Sequence, residues 1–204
     1  MQTAILFDCE FLSIEGAMRR MWCGPYDPVP QVVQIGAVRL GLEGDFPLLG
    51  QHSSFVLPVD RWGDAVPVDP FLTELTGVTQ AQVSARGVPL AQALGDLADF
   101  AGPARLWSWG GDERQLVAIG CYEQGVAPPL PATRFGNACR AFVDAGMPVA
   151  DIQRTSSSGL AAYFGLKSDG LRAHDALGDA TSLALAAQHL LRSGAMRPQR
   201  LAAR

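Results

Sequence analysis

The chain contains no apolar run approaching the roughly 20 residues that cross a bilayer, so no membrane-spanning helix is expected. Its start, Met1-Gln2-Thr3-Ala4, lacks a basic leader and runs straight into an apolar segment, so no signal peptide is expected. The four cysteines (Cys9, Cys23, Cys121 and Cys139) include no Cys-x-x-Cys pair. They read as free thiols of a reducing compartment, with the cytoplasm as the expected location. Repeats, low-complexity tracts and long linkers are missing too, which leaves one domain over residues 1–193 and a short basic tail over 194–204. Charged residues are scarce at 18% against 48% hydrophobic, which excludes a disordered or fibrous chain. Positive charge is in deficit. A net charge of −4 argues against a broadly basic nucleic-acid-binding face. Two bound divalent ions would bring that balance to zero and make an acidic site locally electropositive. From Arg192 onward the chain carries Arg192, Arg197, Arg200 and Arg204 and no acid, and a solvated, frayed end is expected there.

Periodicity places the elements. Residues 3–10 form an apolar strand, 12–30 a loop or partly helical insertion, and 31–40 a β-branched, alternating second strand. Residues 52–57 suit a third strand paired as a hairpin or meander. Helical spacing appears at 89–101, then a strand at 105–109, a helix at 112–124 after Gly110-Gly111, and a short strand near 135–139. Two helices follow, at 156–164 and 175–192; the last repeats Leu177, Ala180, Ala184, Ala187 and Leu191 at intervals of three and four. Three strands in series and then alternating helices and strands predict an α/β fold, a mixed five-stranded sheet with helices packed against it.

The first strand ends in Asp8-Cys9-Glu10. Side chains alternate along a strand, so the two carboxylates leave the same face roughly 6–7 Å apart. A buried strand gains nothing from two unpaired anions, and a hard divalent cation is their natural partner. Asp112 follows a strand and a glycine pair at the start of a helix, where capping is its ordinary role. Asp179 lies in the first turns of the last helix beside the apolar stripe, with Asp175 the better cap. His174 precedes Asp179 by five residues, about 140° out of phase on a regular helix. The two converge only if His174 stands on the loop or first turn while Asp179 points in. Four carboxylates and one imidazole suit two hard metal ions and a base acting near neutral pH.

Phe7-Asp8-Cys9-Glu10-Phe11, Trp107-Ser108-Trp109-Gly110-Gly111-Asp112 and His174-Asp175-Ala176-Leu177-Gly178-Asp179-Ala180 resemble, in order, the three motifs of the DEDDh (DnaQ-like) 3′–5′ exonucleases. Val33-Gln34-Ile35-Gly36-Ala37-Val38 and Leu75-Thr76-Gly77-Val78-Thr79 resemble the family's second strand and the segment after its third. The resemblance covers residues 3–192 and is closer to the eukaryotic-type, RNA-directed branch than to polymerase proofreading subunits. It implies an RNase H-like fold and hydrolysis of single-stranded RNA or DNA from a free 3′ end, releasing nucleoside 5′-monophosphates. It implies two Mg2+ ions, with Mn2+ able to substitute, on Asp8, Glu10, Asp112 and Asp179. His174 would be the general base, and Leu75, Thr76 and Phe11 would hold the terminal nucleotide. Two features depart from the pattern: Gly178 replaces an acid common in relatives, and Asn137-Ala138-Cys139 matches the fifth strand loosely.

Two alternatives stand beside this reading. One is a catalytically silent module that keeps the fold to bind nucleic acid or a protein. The other is a haloacid-dehalogenase-type phosphatase, which Glu10 fits poorly because that chemistry places an Asp there. Nothing in the residues sets an oligomeric state.

Overall fold

The computed structural model describes residues 1–202. Its core is a five-stranded sheet of β1 (Thr3–Phe11), β2 (Val32–Gly41), β3 (Leu48–Phe55), β4 (Arg105–Ser108) and β5 (Phe135–Asn137). The order is β3-β2-β1-β4-β5; β2 runs antiparallel to β1 and β3, whereas β4 and β5 run parallel to β1. Eight α-helices are described: α1 (Pro70–Thr76), α2 (Gln80–Arg86), α3 (Leu90–Ala101), α4 (Asp112–Glu123), α5 (Ala138–Asp144), α6 (Val149–Ile152), α7 (Leu160–Tyr163) and α8 (Ala176–Arg192).

Strand alternation divides the core into two layers. Ala4 and Leu6 of β1 join Val38, Leu183, Ala187 and Phe142 on the α8 side. Ile5, Phe7 and Cys9 join Leu94, Leu97, Val117 and Cys121 under α3 and α4. β1 is buried along almost its whole length, as its unbroken apolar run predicts for a central strand. Burial at about 25 cal/mol per Å2 makes these two layers the main support of the sheet.

Several boundaries depart from the pattern in the sequence. β3 begins at Leu48, not near 52, because a tight reversal at 43–47 brings it into register with Leu40 sooner. The expected helix at 156–164 shrinks to the single turn of α7 after a serine-rich turn, with α6 standing before it. α1 and α2 carry no long apolar period and rest on caps. The Asp69 carboxylate accepts from Phe71 N at 2.8 Å, Pro70 fills the first helical position, and Thr79 with Gln82 forms a reciprocal capping box.

The C-terminal segment is not a frayed end over its described part. Trp107 Nε1 donates to the Leu201 carbonyl at 3.0 Å, and Met196 and Leu201 are buried in the α8-side core. A tail with two apolar anchors gains enough burial to dock, whatever its charge. Arg204 lies outside the described residues. The four cysteines are free. Among the described residues no helix is long and apolar enough to cross a membrane.

Candidate active site

Asp8 and Glu10 continue the face that carries Ala4 and Leu6, so both emerge toward α8. The start of α8 is drawn onto the sheet by two local devices. Asp175 caps it, accepting from Gly178 N at 2.9 Å, and Gln34 of β2 donates to the Asp175 carboxylate at 2.9 Å while accepting from Ala176 N at 3.3 Å. Gly36, paired opposite Asp8, supplies the second. A Cβ there would overlap the Ala176 carbonyl and the Leu177 amide, so only glycine lets the helix come this close. Gly178 has a similar reason, since a Cβ on it would stand 2.5 Å from the Arg172 carbonyl oxygen. The acid that relatives carry at that position has no room here.

The approach brings three carboxylates together. One oxygen each from Asp8, Glu10 and Asp179 lies within 4.8 Å of the others, and all three residues are buried. Burial raises every pKa in the group. Asp8 stands well above its ordinary value, through burial first and then the charges of Glu113, Glu10, Asp179 and Asp112. Glu10 is pushed to about 8 by burial, Asp179 and Asp175. Asp179 rises to about 6 through burial, partly offset by the Ser157 hydroxyl, which donates to Oδ2 at 3.1 Å, and by His174. Its other oxygen, Oδ1, is buried without a hydrogen-bond partner. Among the described residues no lysine or arginine forms an ion pair with any of the three. Three crowded anions, one with an orphaned oxygen, suit a hard divalent cation on carboxylate oxygens.

The fourth carboxylate of the sequence reading, Asp112, opens α4 as its place after Gly110-Gly111 predicts. Gly111 caps α4, so Asp112 and Glu113 are its first two helical residues. Asp112 is exposed and stands outside the group of three. Glu113 is only 6% exposed, its Oε2 has no partner, and it exerts the largest charge effect on Asp8. Burial and the charge of Asp112 push Glu113 to about 8. Helical periodicity could have singled it out. Glu113, Leu116, Val117, Gly120 and Cys121 share the buried face of α4 at helical spacing, and Asp112 falls off that face.

His174 stands in the turn before α8 with φ 58°, a left-handed conformation uncommon for a residue with a Cβ. That turn supplies the off-helix placement that its spacing from Asp179 requires. The imidazole is exposed and lines a cleft of about 480 Å3 with Glu10, Phe11, Trp22, Leu75 and Asp112. Thr76 lies outside the lining: it is buried, donates to the Leu72 carbonyl at 2.9 Å and accepts from Val78 N at 3.0 Å, which closes the end of α1. The 12–30 insertion forms one wall. It is fastened by Trp22 Nε1 donating to the Leu12 carbonyl at 2.8 Å and by the Arg20–Asp27 ion pair at 2.6 Å, and Met21 and Trp22 both adopt φ near 54°. Two consecutive left-handed residues mark a held conformation.

No protein-family model and no curated protein matches the sequence. Solved structures do. The chain is similar to a full-length 3′-exonuclease, with TM-score 0.76 and 19% identity over 96% of this chain and 62% of the other. It is similar to a 3′-exonuclease in a structure of 3′-end-specific recognition of a histone mRNA stem-loop, with TM-score 0.76 and 19% identity over 95% of this chain and 65% of that one. Exonuclease I of E. coli with a dT13 oligonucleotide matches with TM-score 0.61 and 17% identity, over 98% of this chain and 42% of that one. The chain therefore spans under two thirds of the length of these structures. At such identities the likeness is one of fold, and that fold is the RNase H-like α/β fold of the 3′-exonucleases.

Proposed function

We propose that the chain is a metal-dependent 3′–5′ exonuclease acting on single-stranded nucleic acid. One observation carries the reading: buried carboxylates converge on β1, α8 and α4 with two orphaned oxygens, Asp179 Oδ1 and Glu113 Oε2, beside an open cleft. A silent binding module would gain nothing from keeping such a cluster unpaired.

Asp8, Glu10 and Asp179, with a fourth carboxylate from the Asp112-Glu113 pair, would hold two divalent ions, Mg2+ or Mn2+. Bound there, the ions would lower the pKa of a water and stabilise charge on the phosphate and the leaving 3′ oxygen. The buried Glu113 suits the fourth position better than the exposed Asp112. His174, exposed and next to Asp179, can take a proton from a water in the cleft and release it to solvent. Phe11 and Leu75 present apolar surface to the base and sugar of a terminal nucleotide. The catalytic unit is residues 1–193 with the docked segment 194–202 packed on it, and the free thiols suit a reducing compartment such as the cytoplasm.

The test is shortening of single-stranded oligonucleotides. With Mg2+ or Mn2+ an unblocked strand is shortened from its 3′ end to nucleoside 5′-monophosphates, a 3′-blocked strand survives, and EDTA stops the reaction. Equal degradation of blocked and unblocked strands, or of neither, would overturn the reading.

A further inference from the structure

The basic C-terminal segment takes no part in the site above, yet it is firmly placed. Leu201, fully buried and bonded to Trp107, sets Arg200 beside β5 at the edge of the sheet. There Arg200 joins Arg105, Arg134 and Arg140 around a groove of about 750 Å3. Three of these side chains are fixed in place. Arg134 donates to the carbonyls of Ala104 at 3.0 Å and Gly102 at 2.6 Å, and Arg105 lies over the Trp107 ring, 4.7 Å from its centroid. Arg200 pairs with Asp144 at 2.5 Å, and its buried Nε has no partner. Arg140 is exposed.

Four guanidinium groups line one groove, and although Asp144 just outside the lining offsets Arg200, the surplus of positive charge stands out in a chain of net charge −4. Planar guanidinium forks held by their neighbours match phosphate oxygens and lose little entropy on binding them. The groove also borders a smaller recess on the side of the candidate active site. Phe135, Gly136 and Asn137 line both it and a smaller recess that reaches Gly110 and Gly111, and the next residue, Asp112, lines the catalytic cleft. From Gly111 back to Arg105 the backbone spans at most about 20 Å.

Resting on the exonuclease reading, we propose that this groove holds the phosphodiester backbone of the substrate strand on the 5′ side of the end being cut. Recognition there is by charge and spacing, with no base read. The tail thus completes the groove through Arg200. Grooves that track single strands in this way occupy about 4–16 nucleotides.

The test is fluorescence anisotropy in EDTA, so that nothing is cut, using single strands of about 4 and about 15 nucleotides. Arg140→Glu is the variant; its side chain is exposed, and circular dichroism and Tm verify the fold. Expected is about tenfold weaker binding of the long strand and no more than about twofold for the short one. The slope of log Kd against log salt should fall by about 0.7–1 for the long strand. Arg140→Lys should recover part of the loss, since it keeps the charge and gives up the fork. Equal losses at both lengths, an unchanged salt slope, or displacement of long and short strands alike by inorganic phosphate would overturn the groove. Retained 3′ hydrolysis with length-independent affinity in the unaltered protein sinks the groove alone. Loss of 3′ hydrolysis as well sinks the exonuclease reading.

Discussion

Glu113→Gln and Asp112→Asn separate the two neighbours that compete for the fourth carboxylate position. Gln preserves the size of Glu113 and removes its charge. In the metal-free protein burial pushes Glu113 and Glu10 up to about 8, and Asp179 to about 6. At pH 7 a carboxylate of pKa about 8 is protonated in about nine molecules of ten, and one of pKa about 6 in about one of ten. A divalent ion that needs these groups ionised must therefore expel about two protons, with any held by Asp8 in addition. Metal affinity should then fall at least about a hundredfold for each pH unit below 7.

With Gln at 113 one of those protons is gone, so proton release drops by about one and the pH dependence eases to about tenfold per unit. Affinity itself should fall by more than the 10–100-fold that loss of an outer-sphere partner costs, because an oxygen ligand is removed. Asp112→Asn should keep the proton count and lose less than about tenfold. Isothermal titration calorimetry of Mn2+ in buffers of different ionisation enthalpy reads affinity and proton release together, without any turnover. If Glu113→Gln matches the unaltered protein on both and Asp112→Asn does not, Asp112 is the ligand and the reasoning from burial is wrong.

Three further outcomes follow from the same cluster. Without metal, Glu10 and Glu113 keep their protons to about pH 8 when folded, against an ordinary value of 4.5 in the unfolded chain. The folded state thus binds more protons between those limits, and their stabilisation is complete below about 4.5 and lost as pH rises toward 8. The metal-free Tm should fall between about pH 5 and 8 and recover with Mg2+ at the upper end; a flat profile would count against the buried cluster. Asp8→Asn removes one buried ionisable group from the crowd, so the metal-free protein should melt higher toward alkaline pH, by about 2–4 °C per kcal/mol of relief, while metal-induced stabilisation and 3′ hydrolysis disappear. An unchanged metal response in differential scanning fluorimetry would contradict its role. Gly36→Ala places a methyl against the backbone of α8 and should cost about 1–3 kcal/mol, with loss of the metal-induced Tm shift as Asp179 is displaced. Normal stability with a normal metal response would show that the close approach is dispensable.

Much of this molecule is legible along the chain because its main signals are local. The run Ala4–Phe7 declares a strand buried on both faces, and alternation places Asp8 and Glu10 together. The interval from His174 to Asp179 demands a turn before the helix, which the left-handed His174 supplies. What escaped is set by tertiary contact. Thr76 stands in a segment that reads equally as a nucleotide-binding stretch or a helix end, and its hydroxyl bonds the end of α1, a choice only the folded turn makes. The choice between Asp112 and Glu113 depends on which residue of α4 faces β1, a question of helical phase that motif spacing does not answer. The reason for Gly36 lies 140 residues away, where Ala176 passes over it.

The same distinction between local and tertiary control limits what the net charge can say. A value of −4 averages over the whole surface, whereas binding depends on where the charges stand. Four buried acids, Asp8, Glu10, Asp179 and Glu113, gather around the end of β1, and four arginines gather along the edge of β5. Neither group is contiguous in sequence: the arginines at 105, 134, 140 and 200 come from a strand, a turn, a helix and the tail. Only the sheet order, with β4 and β5 beside β1, lays the basic groove next to the acidic centre. A polyanion on the groove would then present its end to the one place in the chain where metal ions could offset its charge. Net charge therefore says little about a chain whose two charge clusters are separate in space.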